Sequence, residues 1–411
     1  MLDALIQVQY SRCVSQLLET SQRGMSIEDS MILTHRIALN PTDKQEEYFR
    51  RAAGIARFVW NWALATWKQQ YEMGEKPHVG SLKKLWNHIK GEQYPWVYEV
   101  HKDVNQQPFA YLQSAFTRFF RGEAGFPQFK KKGVHDSFYV SNDKMRVHGK
   151  RVYISRLGWV RMREALRFTG RILSATVSRS ADRWFVSIQV EVGEYHKPRT
   201  ADGIVGVDLG VHTLATLSTG ETIKSPRPLQ KLLARLKRRQ RWVSRKQKGS
   251  QNRRKAVQHL ARLHRRIKDV RHDTLHKLTT KLCRENQAVA IEDLNVQGML
   301  ANHTLARAIS DMGFHEFRRQ LTYKAAITGT HVAVIDRWFP SSKTCSACGV
   351  LLEGLQLSDR IIRCTCGVVI ERDYNAALNI RRVGFTRTDA CGHGRAVVEA
   401  GTKPCSLVST F

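Results

Sequence analysis

The stretch Ile204-Val205-Gly206-Val207-Asp208-Leu209-Gly210 decides how the second half of this chain folds. A short apolar run that ends on an acid predicts a buried strand with a carboxylate at its end. The run Ala288-Val289-Ala290-Ile291-Glu292-Asp293-Leu294 repeats the pattern. A third acid, Asp373, stands in Glu371-Arg372-Asp373-Tyr374-Asn375-Ala376-Ala377, where a helix is predicted to begin.

The three acids together predict a metal site. A carboxylate at the end of a buried strand is costly unless a positive charge meets it. Asp208, Glu292 and Asp373 would also repel one another and resist ionisation unless divalent cations neutralised them. Magnesium suits an all-carboxylate site, and two ions about 4 Å apart would assist hydrolysis of a phosphodiester. We therefore expect a magnesium-dependent phosphodiester hydrolase.

Each acid taken alone has a structural alternative. Asp208 could cap a turn, and Asp373 could be a helix N-cap. Asp293 competes with Glu292, although alternation along a strand points the two side chains to opposite faces. Asp336, which ends the apolar run before it, is a further candidate that ranks lower.

The order of elements around these acids predicts a mixed α/β domain of the ribonuclease-H-like class. The strand that carries Asp208 is followed by a predicted hairpin, with one strand over 214–217 and the next over 221–224. After the hairpin come helices, the strand that carries Glu292, a helix, a further strand and a last helix. In such a fold the sheet brings distant segments together at one edge.

The net positive charge of the chain predicts a polyanionic partner. The 411 residues include 67 Lys+Arg and 36 Asp+Glu, which gives a formal net charge of +31. An excess this large strains the folded state by self-repulsion, so nucleic acid explains it better than solubility does. Residues 231–271 alone hold 17 Lys+Arg and one acid, on the pattern of a helical hairpin with a narrow apolar seam. The candidate phosphate contacts are Arg57, Lys130, Lys237, Arg238, Arg239, Arg253, Arg254, Arg265 and Arg266.

The sequence predicts a protein of the cytoplasm, associated with the nucleoid. Its first residues lack the basic start and apolar core of a signal peptide. No apolar run approaches the length of a membrane span. Residues 1–30 are expected to form a disordered extension, although a short amphipathic helix or a translated leader before Met31 are alternatives.

Four of the eight cysteines form a close group. Cys345 and Cys348 are separated by two residues, and Cys364 and Cys366 by one. Two close pairs of thiolates suit structural zinc, because four thiolates leave no open position for a catalytic water. The shortened second spacing departs from the usual pair, and reduced free thiols are the alternative.

The first half predicts a strand, then helices, then a small antiparallel barrel. Residues 32–39 alternate like a strand, and helical spacing follows to about residue 120. An apolar stripe there is expected to be core for most of its members, which are Leu112, Ala115, Phe116, Phe119 and Phe120. Period-two patterns over residues 137–195 indicate the short strands of the barrel.

At this point the residues resemble the TnpB family, the transposon-encoded RNA-guided DNA nucleases related to type V CRISPR effectors. The matching segments follow in one order over 31–382. They are Ala56-Arg57-Phe58-Val59-Trp60-Asn61, Gly125-Phe126-Pro127-Gln128-Phe129, Leu157-Gly158-Trp159-Val160, Gly206 to Gly210, Ile291-Glu292-Asp293-Leu294, Ser310-Asp311, Tyr323-Lys324-Ala325, Cys345 to Gly349 and Arg372-Asp373-Tyr374-Asn375-Ala376-Ala377-Leu378-Asn379-Ile380.

The resemblance implies a domain plan. A helical recognition domain is inserted in a wedge β-barrel, and a RuvC-like nuclease domain is interrupted by a zinc ribbon. The implied bounds are 31–45 and 122–200 for the wedge, 46–121 for the recognition domain, 201–340 and 368–385 for the nuclease, 341–367 for the ribbon and 386–411 for a tail. Asp208, Glu292 and Asp373 fall on the catalytic positions.

The resemblance also implies partners. A guide RNA from the transposon end would pair with double-stranded target DNA, while the protein reads a short flanking motif. Gln106, Ser141 and Asn142 fall near the residues that contact this motif. A monomer is favoured. The alternatives are an RNA-guided repressor that binds without cutting and a DNA transposase or its accessory protein, although no attacking Tyr or Ser can be singled out.

Overall fold

The structure is a computed structural model that describes residues 31–193, 200–356 and 358–386. The chain divides into two compact units, Met1–Tyr195 and His196–Phe411. The predictions for residues 1–30 and for the tail after Thr386 lie outside the described residues.

Seven antiparallel strands form the sheet of the first unit, in the order β2-β6-β7-β1-β5-β4-β3. Along β7 every second residue is buried, as period-two sequence requires. The predicted barrel is not confirmed: among the described residues no pairing joins the edge strands β2 and β3, and no closed barrel is seen. The strands are β1 Met31–Asn40, β2 Ser137–Ser141, β3 Met145–His148, β4 Arg151–Ile154, β5 Gly158–Met162, β6 Arg171–Ser180 and β7 Arg183–Val192.

Three helices with an aromatic core lie between β1 and β2. They are α1 Asp43–Glu72, α2 Val79–Gln93 and α3 Asp103–Phe120. Thr42 caps α1 through a reciprocal pair of hydrogen bonds with Gln45, which satisfies backbone donors at the helix start. Of the predicted stripe, Leu112 and Phe116 are buried and Ala115 and Phe119 are partly buried. Phe120, at the last turn of α3, lies outside the core and is 69% exposed.

A mixed five-stranded sheet organises the second unit, in the order β10-β9-β8-β11-β12. The central strand β8 lies parallel to β11, and β11 lies parallel to β12, while the hairpin pairs antiparallel with β8. The strands are β8 Gly203–Asp208, β9 Ala215–Leu217, β10 Thr222–Ile223, β11 Asn286–Glu292 and β12 His331–Ile335. The predicted strands and hairpin are therefore present.

The basic segment is a helical hairpin, as its sequence predicts. Its apolar seam is narrow, since Leu236, Leu263 and Ile267 are buried, whereas Val257 and Val270 are exposed. The helices of this unit are α4 Pro228–Ser244, α5 Gln251–Glu285, α6 Val296–Ala301, α7 Ala306–Met312, α8 Phe314–Thr328 and α9 Arg372–Thr386. None of the helices in the described ranges is long and apolar enough to cross a membrane.

Helix α9 packs closely on the sheet because glycine lines the contact. A Cβ at Gly206 would lie 2.2 Å from the carbonyl oxygen of Ala377 and 2.5 Å from the backbone nitrogen of Arg381. A Cβ at Gly384 would lie 2.6 Å from that of Ala290. Both glycines therefore let the helix that carries Asp373 approach the strands that carry the other two acids.

The cysteine segment precedes α9. It contains a short antiparallel pair, β13 Ile361–Arg363 and β14 Val369–Glu371. Gly349 and Gly367 have φ values of 77° and 88°, and such a backbone suits glycine because it has no Cβ. Each follows a cysteine pair directly, so the chain turns tightly after each pair.

Candidate functional site

The structure brings the three predicted acids together. Val207 of β8 is the register partner of Ile291 of β11, so the next residues, Asp208 and Glu292, end neighbouring parallel strands. Asp373 lies in the first turn of α9, which packs on the same strands. The acids are half-buried.

The carboxylates of Glu292 and Asp373 lie close enough to Asp208 to affect its pKa. Burial raises the pKa of Asp208 to about 8, and the nearby charges of Glu292 and Asp373 raise it further. Burial also raises the pKa of Glu292, against a hydrogen bond that Ser341 donates. Two neighbouring carboxyl groups with raised pKa values fit bound cations, which would favour the charged forms of Asp208 and Glu292.

Two arginines that the sequence prediction did not include lie beside the acids. Arg372 is buried, and its guanidinium donates to the carbonyl oxygen of Gln356 at 2.9 Å and to Ser342 Oγ at 3.3 Å. Its positive charge lowers the pKa of Asp208, in opposition to burial. Arg360 Nη1 lies 4.0 Å from Asp373 Oδ1. The position of Arg372 directly before Asp373 was the available signal.

The two competing acids have other partners. Asp293 forms ion pairs with Arg318 and Arg337, and the hydrogen bonds from both lower its pKa. Asp336 is exposed, and its carboxylate accepts the backbone N–H of Trp338 at 2.8 Å. Neither contributes to the raised pKa of Asp208.

A chain of hydrogen bonds links the acids to the cysteine segment. Ser341 donates its hydroxyl to Glu292, and its carbonyl oxygen accepts from Asn379 Nδ2 at 2.8 Å. Asn379 also donates to the carbonyl oxygen of Thr344 at 2.6 Å. Asn375, one turn earlier, accepts from Ser346 N at 2.8 Å. Both asparagines are fully buried, so α9 holds the first cysteine pair and Ser341 in fixed positions.

The four predicted cysteines form one cluster. Their sulfurs lie within 4.8 Å of one another, with Cys345 Sγ 3.7 Å from Cys366 Sγ and Cys348 Sγ 3.5 Å from Cys364 Sγ. Sulfurs around one zinc at about 2.3 Å would lie about 3.8 Å apart, so the cluster fits that ion. The shortened second spacing does not prevent this arrangement.

Two candidate phosphate contacts of the first unit already have partners within the protein. Arg57 Nη1 forms an ion pair with Asp136 Oδ1 at 2.9 Å. Lys130 Nζ lies 4.1 Å from the centroid of the Trp60 ring, and burial lowers its pKa to about 8. Both side chains therefore contribute to the packing of this unit.

The residues predicted near the flanking motif share one neighbourhood. Asp103, the first residue of α3, accepts from the backbone N–H of Ser141 at 3.0 Å and from its hydroxyl. Gln106, one turn along α3, donates to Asn105 Oδ1 at 2.9 Å, and Asn142 follows Ser141 directly. Their contact with DNA remains a prediction.

The hairpin candidates fall into two groups. Lys237, Arg238, Arg254 and Arg266 are exposed, and Arg239 is partly exposed. Arg253 instead donates to the carbonyl oxygens of Val243 at 2.7 Å and Lys246 at 3.0 Å, so it caps the end of α4. The side chain of Arg265 is 14% exposed and lies 3.9 Å from Asp269.

A cleft of about 250 Å³ opens beside Glu292. Its walls come from the ends of β8 and β11, the start of α6, and α8. The polar residues among its walls are Glu292, Asn295, Gln297, His315, Arg318 and Arg337.

Three family models match the chain. The OrfB_IS605 model, described as "Probable transposase", matches residues 187–303. The "Cas12f1-like, TNB domain" model matches residues 314–380, and a "Helix-turn-helix domain" model matches residues 31–76. In this structure the last range holds β1 and the single continuous helix α1.

Relatives with similar sequences cover most of the chain. A Streptomyces pristinaespiralis protein named "Putative RNA-guided DNA endonuclease" is 41% identical over 361 residues, which are 86% of this chain and 89% of that protein. InsQ of Escherichia coli K12, with the same description, is 35% identical over 376 residues, 87% of this chain and 93% of that protein.

A solved structure shares the fold. The chain in "Cryo-EM structure of the Cas12f1-sgRNA-target DNA complex" aligns with a TM-score of 0.53 at 12% identity, over 86% of this chain and 99% of that one. The fold is therefore Cas12-like, with mixed α/β content and a cysteine cluster like a zinc ribbon. With relatives this similar over most of its length, the chain belongs to the TnpB (OrfB_IS605) family.

Proposed function

We propose that this protein is an RNA-guided, magnesium-dependent endonuclease that cuts double-stranded DNA beside a short flanking motif. The observation that carries the proposal is the convergence of Asp208, Glu292 and Asp373, with the pKa of Asp208 raised to about 8. The names of the relatives support the guide RNA and the DNA substrate. Such an activity would help a transposon to persist in its host.

The acids would hold two magnesium ions. Bound magnesium would activate the attacking water and stabilise the leaving oxygen. Asp208 has to lose its proton to bind a cation, because its pKa lies above neutrality in the metal-free protein. Ser341 fixes the orientation of the Glu292 carboxylate. Arg372 places a permanent positive charge near Asp208 and so favours its ionised form.

One set of acids would cut both DNA strands in turn. Each strand would pass the site as a single strand, since a base-paired duplex cannot offer both phosphodiesters to one site at once. The cationic hairpin would bind the backbone of RNA or DNA through its exposed side chains, Lys237, Arg238, Arg254 and Arg266. Gln106, Ser141 and Asn142 would contact the flanking motif.

The domain plan follows from the same proposal. The first unit would contain the wedge and the recognition helices, and the second unit the RuvC-like nuclease with a zinc ribbon over 341–367. Zinc would stabilise the ribbon, because its four cysteines have the spacing that the ion requires. The protein would act as a monomer in the cytoplasm, on the nucleoid.

The direct test is to purify the protein from cells that carry its own transposon flank. We expect a specific RNA to co-purify, and DNA that matches this RNA to be cut when magnesium is present. Asp208→Ala should bind the same RNA and DNA without cutting. If the parent protein binds but does not cut, it acts as a repressor, and if no RNA co-purifies the proposal fails.

Elemental analysis tests the ribbon. We expect one zinc per chain in the parent protein and its loss in Cys364→Ser. A chelator strong enough to remove the zinc should lower the thermal unfolding midpoint of the parent. A metal-free parent with an unchanged midpoint would contradict the structural role of zinc.

A further inference from the structure

Two arginines that form ion pairs with the same aspartate line one wall of the cleft beside Glu292. Arg318 of α8 and Arg337, just after β12, both line the cleft and both pair with Asp293. Two guanidiniums on one carboxylate leave a net positive charge on this wall.

The arginines keep capacity for a ligand. Their side chains are 46% and 44% exposed. Each guanidinium has five N–H donors, and each uses one terminal nitrogen on Asp293. The remaining donors suit the paired oxygens of a phosphate, and Asp293 fixes both planes in advance, which reduces the entropy lost on binding.

Trp338 follows Arg337 and is 85% exposed. Tryptophan is enriched at interfaces, because its ring offers a large apolar face and its N–H a hydrogen-bond donor. Its segment is anchored on both sides. The backbone N–H of Trp338 donates to Asp336 at 2.8 Å, while Phe339 packs against the apolar cluster around Ile335 and Ile380.

The anchored segment also reaches the acids. Ser341 N donates to the carbonyl oxygen of Phe339 at 2.8 Å, and the Ser341 hydroxyl donates to Glu292. Trp338 is therefore three residues from a side chain that touches a proposed catalytic acid. Trp338 also directly follows Arg337 in the chain, and Arg337 lines the cleft together with Arg318 and Glu292.

We propose that Arg318, Arg337 and Trp338 form a nucleotide subsite that holds a single DNA strand beside the bond to be cut. The guanidiniums bind a phosphate, and the indole stacks on a base. A base inside a duplex is stacked on its neighbours and cannot cover an exposed indole, so the subsite selects single-stranded DNA. This inference rests on the proposed nuclease function.

A fluorescent base tests the contact without cleavage. The probe is matching target DNA with 2-aminopurine at successive positions near the cut, bound to the RNA-loaded Asp208→Ala protein. We expect one position to be quenched by stacking. The quenching should persist when Trp338→Phe is added and disappear with Trp338→Ala. Quenching that survives in the Trp338→Ala double variant at every position contradicts the proposal.

Cleavage by otherwise intact RNA-loaded protein gives a second readout. Trp338→Ala should lower kcat/KM by about 10-fold to 100-fold, the range that one stacked base provides, and Trp338→Phe should recover most of it. Arg337→Gln should weaken binding of a single-stranded DNA and lower its salt slope by about 0.7. Tyr71→Ala, which removes another exposed aromatic residue (65% exposed), is the control and should match the parent.

The outcomes separate the two proposals. If Asp208→Ala cuts as well as the parent, the nuclease assignment fails. If Asp208 is essential but Trp338→Ala has the parent's kcat, KM and quenching, only the subsite fails. A change in oligomeric state with Trp338→Ala, without any change in these DNA readouts, would assign the indole to a protein interface and also overturn the subsite.

Discussion

At the residue scale, Asp208 ends a buried strand and faces two other carboxylates. Its pKa of about 8 means that the metal-free protein keeps it protonated at neutral pH. Arg372 opposes this shift but does not cancel it. The same carboxylate is therefore destabilising when charged and empty, and stabilising when it binds a cation.

The first prediction concerns Asp208→Asn in the presence of a chelator. A folded pKa raised above the unfolded value of 3.8 gives stability that is complete below about pH 4 and is lost as the pH rises through 8. The neutral asparagine does not titrate. We expect the free energy of unfolding of the variant, relative to that of the parent, to rise by about 2 kcal/mol or more between pH 5 and about pH 8.5.

Thermal unfolding of both proteins across this range provides the measurement. Groups that do not interact with Asp208 titrate equally in both proteins, so the difference between the two midpoints reports on Asp208 and the acids coupled to it. A difference that does not change with pH would show that the carboxylate is not held in its neutral form.

The second prediction concerns Ser341, which donates to Glu292. Partners that orient a metal ligand typically contribute about 10-fold to 100-fold in metal affinity or activity. We expect Ser341→Ala to raise the magnesium concentration needed for half-maximal cleavage by about 10-fold. Ser358→Ala, at an exposed serine of the same unit, is the control and should have no effect.

Sequence predicted the three acids because carboxylates that end apolar runs are chemically conspicuous. It left Glu292 and Asp293 in competition, and the ion pairs of Asp293 with Arg318 and Arg337 show how the second acid is used. Ser341 and Trp338 were not predicted. A hydroxyl or an exposed ring carries no sequence signal until the fold places it beside an acid or in water.

At the scale of elements, α9 is the piece that completes the acid group. Its approach to β8 depends on Gly206, and its asparagines hold the cysteine segment. The helix thus fixes Asp373 and the first cysteine pair at once.

Gly206→Ala provides the third prediction. Its Cβ would meet the backbone of α9 at 2.2 Å, and backbone atoms cannot move aside as a flexible side chain does. We expect the unfolding midpoint to fall by about 5 °C or more. Gly54→Ala, whose Cβ would meet only an arginine end at 3.7 Å within α1, should raise the midpoint slightly. Equal midpoints for Gly206→Ala and the parent would refute the close contact.

The fourth prediction separates neighbouring arginines of the hairpin. Arg254 is exposed, so Arg254→Ala should leave the unfolding midpoint unchanged and lower the salt slope of binding to duplex DNA by about 0.9. Arg253 caps α4, so Arg253→Ala should lower the midpoint. Calorimetry measures the midpoints. Fluorescence anisotropy at salt concentrations of about 50 to 200 mM measures the salt slope of DNA binding. The reverse pattern would contradict the assignment.

The helices and strands were predicted from the sequence with uneven success. Periodicity located β8, β11 and the helical hairpin, because burial of one face imposes a period on the chain. It could not determine whether the strands of the first unit close into a barrel. Closure depends on pairing between strands far apart in sequence, and the structure leaves β2 and β3 at the edges.

At the scale of the whole molecule, the net charge of +31 and the acid group have opposite effects. In the proposed function, the positive charge would attract nucleic acid, and the acids would act on it with cations bound between them. Family membership connects these features to RNA-guided relatives that cover most of the chain.

The most direct test of the central claim is cleavage of matching DNA by the RNA-loaded protein and three isosteric variants. Asp208→Asn, Glu292→Gln and Asp373→Asn should each retain RNA and DNA binding and lose cleavage by about 1,000-fold or more, because each would remove one of the three proposed metal ligands. Cleavage at the parent's rate by any one of the three would show that the acids do not form a single catalytic site.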